Sequence, residues 1–158
     1  MNFLTEHGIS SYGELESKLT AVSARRDTAH AEIKRIESRS AELALVMKHA
    51  GTYRQLKPLY DRYRKSNDKE KFLRGHESEI ILFEAAAREL KRLGAVPLPT
   101  TESMKTELAN LNAEKERLLT EYKTARTEAQ EYDTVKQNVD ALLTVAKEQE
   151  QQRRHELE

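Results

Sequence analysis

Residues 48–74 concentrate positive charge, because nine basic side chains against three acidic ones give a net charge of +6. Clustered Lys and Arg neutralise phosphates, and aromatic rings between them can stack on bases, so this composition is typical of a nucleic-acid-binding surface. The interleaved rings are Tyr53, Tyr60, Tyr63 and Phe72. The cations that we predict to contact DNA are Arg54, Lys57, Arg62, Arg64, Lys65, Lys69, Lys71 and Arg74.

A purely structural interpretation of the same residues stays open. The rings recur at helical intervals, which favours a role as core of the segment rather than as a platform for bases. The cations could equally be solvated charges with no ligand. The sequence does not decide between these two roles for the cations.

No residue pattern indicates catalysis or a cofactor. The five histidines never occur at metal-ligand spacing, and cysteine is absent. The five glycines are scattered singly, so no phosphate-binding loop is present. We therefore predict no catalytic residue, no cofactor, no metal site and no enzymatic activity for this chain.

Helix-breaking residues divide the chain into three parts. Residues 14–50 and 100–158 contain neither Gly nor Pro, whereas six such residues lie between positions 51 and 99. We predict a first coiled-coil arm over residues 1–50, a helical tip over residues 51–100 and a second arm over residues 101–158 whose polar C-terminus frays.

Both arms carry apolar residues at alternating spacings of three and four, the pattern of a left-handed coiled coil. In the second arm, eleven of thirteen stripe positions from Met104 to Ala146 are apolar or aromatic. The predicted fold is all-α, a long antiparallel two-helix coiled-coil hairpin whose small tip consists of short broken helices. If Ala50 faces Met104, Arg26 should lie within one turn of Glu128. The heptads alone would also permit pairing between two chains, as a homodimer.

Capping signals predict the helix ends. The expected starts are Ser11 with Glu14, Asn67 with Glu70, and Thr100 or Thr101 with Glu102. We predict that Gly94 is a C-terminal cap and that Gly75 interrupts the helix that starts at residues 67–70. Pro58 is expected to kink or end the helix that contains it.

One segment of the tip is apolar nearly all round. We expect residues 79–93 to pack against the tyrosines and Leu56, and a small tip would leave part of this segment uncovered. An uncovered apolar patch marks an interface with another protein. The candidate interface residues are Ile80, Ile81, Leu82 and Phe83.

Whole-chain composition sets the remaining bounds. The 27 basic and 27 acidic residues cancel, which excludes a uniformly basic surface but not a local one. No apolar run approaches the length of a membrane span, so we expect a soluble chain without membrane insertion. The absence of cysteine favours a cytoplasmic location.

Several stretches together resemble the region that follows the nuclease domain in relaxases, the mobilisation proteins of bacterial conjugative elements. The more distinctive of them are FLTEHGI and the Gly75, His76, Glu77 segment before an Ile/Leu run. The resembling segments are residues 2–9 (NFLTEHGI), 53–66 (YRQLKPLYDRYRKS), 71–94 (KFLRGHESEIILFEAAARELKRLG) and 121–143, which contains EYDTVKQNVDALL.

The resemblance implies a place in DNA mobilisation. Relaxases nick one DNA strand through a tyrosine beside a metal held by histidines, and neither feature carries over, because the nuclease domain would lie upstream of Met1. The family's C-terminal regions imply DNA contacts, relaxosome assembly or delivery to a secretion channel. Two hypotheses follow: an accessory DNA-binding and assembly module, or a spacer or dimerisation arm that binds a coupling or accessory protein.

Overall fold

The computed structural model describes residues 3–157, and these residues form helices and no strand. Met1, Asn2 and Glu158, the outermost residues of the two predicted arms, lie outside this range. The helices are α1 (Phe3–Glu6), α2 (Tyr12–Lys65), α3 (Lys69–Arg92) and α4 (Thr101–Leu157). The all-α class and the packing of two long helices against each other are therefore confirmed.

The chain divides into two compact units. The first comprises the residues up to Ile33 together with those from Glu116 onward, and the second comprises Lys34–Lys115. In both units α2 and α4 run antiparallel.

The first unit pairs the beginning of α2 with the second half of α4. Its apolar core consists of Ile9, Leu15, Val22, Ala125, Ala129 and Tyr132. Arg25 lies 3.7 Å from Glu128, measured from Nη1 to Oε2, whereas Arg26 pairs with Asp27 on its own helix. The expected position of Arg26 beside Glu128 is thus off by one residue, well within one turn.

The second unit adds α3 to the paired helices. One cluster of its core consists of Leu43, Val46, Ala50, Leu90, Ala95 and Met104. The Lys115 ammonium lies 3.4 Å from a Glu37 carboxylate oxygen, so this polar stripe residue reaches a flanking carboxylate. Arg39 forms a bidentate contact with Glu107: its Nε donates to Oε1 at 2.7 Å and its Nη2 donates to Oε2 at 3.1 Å.

The capping predictions hold at three of four helix ends. Ser11 Oγ accepts from the Glu14 N–H at 3.2 Å, and Thr100 Oγ1 accepts from the Ser103 N–H at 3.1 Å. Gly94 adopts φ +70° after the end of α3, as the αL cap requires. The start of α3 differs by one residue, because Asp68 rather than Asn67 is the N-cap and accepts from the Lys71 N–H at 3.1 Å.

In the part of the chain predicted as a tip of short broken helices, the structure differs in the continuity of α2. Helix α2 continues through Gly51 and Pro58 to Lys65, so it passes the expected arm boundary at residue 50. Tyr53 and Tyr60, on either side of Pro58, both stack on Phe83, and this packing offsets the one intrahelical hydrogen bond that proline removes.

Helix α3 is interrupted by a kink at the position that the sequence predicts. His76 departs from helical geometry at φ −136° and ψ 24°, immediately after Gly75, where the sequence indicated an interruption. The helix resumes and carries its buried face, including Ile80 and Phe83, into the core of the second unit.

The apolar stripe of α4 extends beyond the part of α4 that packs against α2. Leu118, Ala125 and Tyr132 are buried, but Leu143 is half exposed. The hydroxyl of Tyr12, the first residue of α2, already reaches Asp140 at 2.5 Å, so α2 provides no surface beyond that point. The segment expected to fray is helical as far as Leu157 and solvent-exposed. None of the helices in residues 3–157 has an apolar stretch that would cross a bilayer.

Candidate nucleic-acid interface

The predicted DNA contacts lie in the last part of α2 and at the beginning of α3, on either side of the turn of residues 66–68, all within the second unit. The turn is closed by Ser66, whose N–H donates to the Tyr63 carbonyl at 3.2 Å, and by the Asp68 cap. Every one of the eight predicted cations is solvent-exposed. Their contacts, however, separate them into two groups.

Four of the eight already have a partner. Arg54 donates to Thr101 Oγ1 at 2.8 Å and to the Pro99 carbonyl, so it ties α2 to the start of α4. Lys57 pairs with Asp61 at 3.1 Å, one helical turn away. These two contacts are structural and reduce the freedom of both side chains to bind a ligand.

Arg62 and Arg74 are engaged more weakly. The Arg62 guanidinium carbon lies 5.8 Å from the centroid of the Phe72 ring, within the range of a cation–π contact. Arg74 Nε donates to the Glu70 carbonyl at 3.4 Å, a long hydrogen bond. Either side chain can keep most of its charge directed to solvent.

The remaining four cations have no such contact. Within residues 3–157, the side chains of these four make no hydrogen bond, ion pair or cation–π contact. We call this set the turn cations: Arg64, Lys65, Lys69 and Lys71. The nearest acidic residues in sequence are Asp61, Asp68 and Glu70; the Asp61 carboxylate pairs with Lys57, and the Asp68 carboxylate is used as the helix cap. The turn cations are therefore the part of the predicted site that is available to an anionic ligand.

The aromatic rings are packed against one another. The Phe83 ring stacks on Tyr53 at 4.8 Å and on Tyr60 at 4.3 Å between centroids, with interplanar angles of 27° and 24°. Phe72 lies 6.0 Å from Tyr63 and 4.6 Å from His76. The rings contact one another and other side chains of the second unit, but all four predicted rings are partly buried rather than buried, so each keeps some exposed surface.

The predicted protein interface separates into two faces of α3. Ile80 and Phe83 are 2% and 5% exposed, so they belong to the core of the second unit and not to an uncovered patch. Ile81 and Leu82 are 54% and 55% exposed. The helical period explains the split, because positions three apart share a face and the two between them point elsewhere. An interface at this segment is thus limited to Ile81 and Leu82.

Sequence reasoning missed an apolar cleft of about 460 Å³ in the second unit. It lies between α2, the end of α3 and the loop that follows, and its lining includes Tyr53, Leu90 and Val96. The irregular loop of residues 93–100 forms one wall, and no periodic pattern marks such a segment in advance.

No cluster of three or more His, Asp or Glu residues within residues 3–157 is arranged to hold a metal ion.

Comparison with known proteins identifies no relative, since no family model, no curated protein and no solved structure matches the chain.

Proposed function

We propose that the chain is an accessory helical module of a conjugative relaxase, which contacts the DNA backbone through the turn cations, contributes to relaxosome assembly and has no nuclease activity of its own. The resemblance of residues 53–66 and 71–94 to relaxase C-terminal regions supports the setting in DNA mobilisation. The turn cations are exposed and have no partner, which supports the DNA backbone as the ligand.

The main observation behind the proposal is that Lys69 and Lys71 lie in the first turn of α3. Cations in the last turn of a helix stabilise it through the helix dipole, which accounts for Arg64 and Lys65 without any ligand. Lys69 and Lys71 occupy the first turn of α3, where the dipole disfavours positive charge. Helix stability therefore gives no reason for these two lysines, whereas a phosphate ligand does, because it is attracted both by the ammonium groups and by the helix N-terminus.

The test is a double charge reversal, Lys69→Glu with Lys71→Glu. Because the carboxylates suit a helix N-terminus, the variant should be stabilised by roughly 0.3–1 kcal/mol for each residue, while its affinity for DNA falls. The slope of log affinity against log salt on duplex DNA should become shallower by about 0.9 for each phosphate that the variant no longer neutralises. Fluorescence anisotropy over a salt series measures the binding, and thermal unfolding measures the stability.

Lys123→Glu with Lys147→Glu is the matched control. Both lysines are exposed residues of α4 in the first unit, and the change in net charge is the same. If the control weakens DNA binding as much as the test variant, the effect is one of overall charge and the proposed site is wrong. Unchanged affinity in the test variant would also overturn it.

A second function is favoured by the exposure of Ile81 and Leu82: a spacer or dimerisation arm that binds a second copy or a coupling or accessory protein. Large apolar side chains side by side on a helix surface are a common element of protein interfaces. Ile81→Ser with Leu82→Ser should reduce the mass measured by light scattering if these residues pair two chains. Leu45→Ser is the control at another exposed apolar residue of the second unit. A wild-type mass of one chain at all concentrations would rule out the dimer.

A further inference from the structure

We infer that the turn cations recognise nucleic acid through its phosphates alone, so that the bases are neither stacked upon nor read. This inference rests on the proposed function and specifies its ligand class: a phosphodiester backbone, with or without bases.

The first support is the placement of the rings. Base stacking requires a ring face open to solvent, and Tyr53, Tyr60, Tyr63 and Phe72 are all partly buried. Tyr53 and Tyr60 are stacked on Phe83, and Phe72 lies against His76 and beneath Arg62. A base that stacked on the occupied faces of Tyr53, Tyr60 or Phe72 would have to displace these contacts inside the second unit.

The second support is the chemistry of the turn cations. Three of the four are lysines, which act on phosphate as point charges on flexible stems. Discrimination between bases is strongest where a planar group makes two hydrogen bonds to one base edge, as arginine does with guanine. Among the turn cations only Arg64 has such a group, and no contact with another described side chain holds it in a fixed orientation.

Sequence-independent backbone binding is the expected outcome of these two features. Lysines and one unrestrained arginine on the outer surfaces of α2 and α3 give an attraction that depends on phosphate charge density. The affinity should then be set by the length and form of the nucleic acid and by salt, and hardly by base identity.

The experiment compares three ligands of equal length with the wild-type chain by anisotropy: an unstacked oligo(dT), an abasic strand with the same number of phosphates, and a duplex. We expect the abasic strand and oligo(dT) to bind equally, with the same salt slope. If even one base stacks on a ring, the abasic strand should bind roughly 5- to 150-fold more weakly, which would overturn the inference and leave backbone binding by the chain intact. Failure of all three ligands to bind would overturn the proposed function itself.

Arg64→Lys provides an independent check on base reading. The variant keeps the charge and removes the planar donor pair, so any change in affinity should be the same for G-rich and A/T-rich duplexes, and the ratio of the two affinities should stay at that of the wild type. A selective loss of affinity for the G-rich duplex would show that Arg64 reads guanine and would contradict the inference.

Discussion

At the scale of single residues, a few polar contacts join the long helices. The Arg39 guanidinium holds the pKa of the Glu107 carboxyl below its usual range, chiefly through its hydrogen bonds to the carboxylate. Both side chains remain about 40% exposed, so solvent screens the pair. Such a contact fixes the pairing of neighbouring helices more than it adds stability.

The pKa of Tyr12 lies above the ordinary value of a tyrosine, and the largest cause is a hydrogen bond. Its hydroxyl donates to Asp140 Oδ1, and this hydrogen bond, together with desolvation and the negative charges of Asp140 and Glu16, raises the pKa of Tyr12 to about 12. Because the folded-state pKa lies above the ordinary value, the contact stabilises the fold below about pH 10 and its contribution is lost as the pH rises towards 12.

We expect Tyr12→Phe to remove one tyrosine from the latest phase of a spectrophotometric titration. Asp140→Asn keeps the phenol and removes the carboxylate, so it should move the same tyrosine to an earlier phase. Tyr132, whose pKa is raised by burial, should remain in the late phase in both variants. If Asp140→Asn leaves the late phase unchanged, the Tyr12–Asp140 hydrogen bond is not the cause of the shift.

At the scale of elements, two glycines of the second unit have opposite roles. Gly51 lies inside α2, whereas Gly94 adopts φ +70° at the end of α3. A Cβ built at either position meets no neighbouring atom within 4 Å, so space does not distinguish them. Only the backbone conformation does.

Gly51→Ala should stabilise the chain by about 0.5–1 kcal/mol, because alanine is the better helix former. Gly94→Ala should destabilise it by about 1–2 kcal/mol, because an L-residue is strained in the left-handed region. Chemical unfolding of the two variants beside the wild type measures both. Equal effects of the two substitutions would contradict the αL cap at Gly94.

At the scale of the whole molecule, heptad position alone does not determine burial. Leu118 and Leu143 belong to the same stripe of the same helix, yet the first is 6% and the second 49% exposed. The difference lies in α2, whose first residue, Tyr12, already faces Asp140.

Leu118→Ala should therefore cost about 2–5 kcal/mol of unfolding free energy, the usual range for a buried leucine. Leu143→Ala should change it by no more than about 0.5 kcal/mol, as for other surface positions. Urea unfolding at one protein concentration compares them. A large loss in Leu143→Ala would show that something covers Leu143 in solution, and repetition at several concentrations would show whether that is a second chain.

The charge of the whole chain is uninformative until it is placed on the fold. The 27 basic and 27 acidic residues cancel, and the segment of net positive charge was visible in the sequence. The contacts of Arg54, Lys57, Arg62 and Arg74 then separated these four from the other predicted cations and left the turn cations. Sequence could not make this selection for Arg54, because its partners are Thr101 and the Pro99 carbonyl, far along the chain.

The sequence by itself determined the all-α class, the presence of two long helices, and the caps at Ser11, Gly94 and Thr100, because heptad periodicity and capping are local properties of the chain. Tertiary packing decided the rest, including the antiparallel pairing of α2 and α4, which the heptads left open. Tyr53 and Tyr60, on either side of Pro58, stack on Phe83 and are partly buried, and the helical period of α3 buried Ile80 while exposing Ile81. These outcomes depend on residues distant in sequence, whose combined contact energy outweighs a local breaker and which no window of the sequence contains.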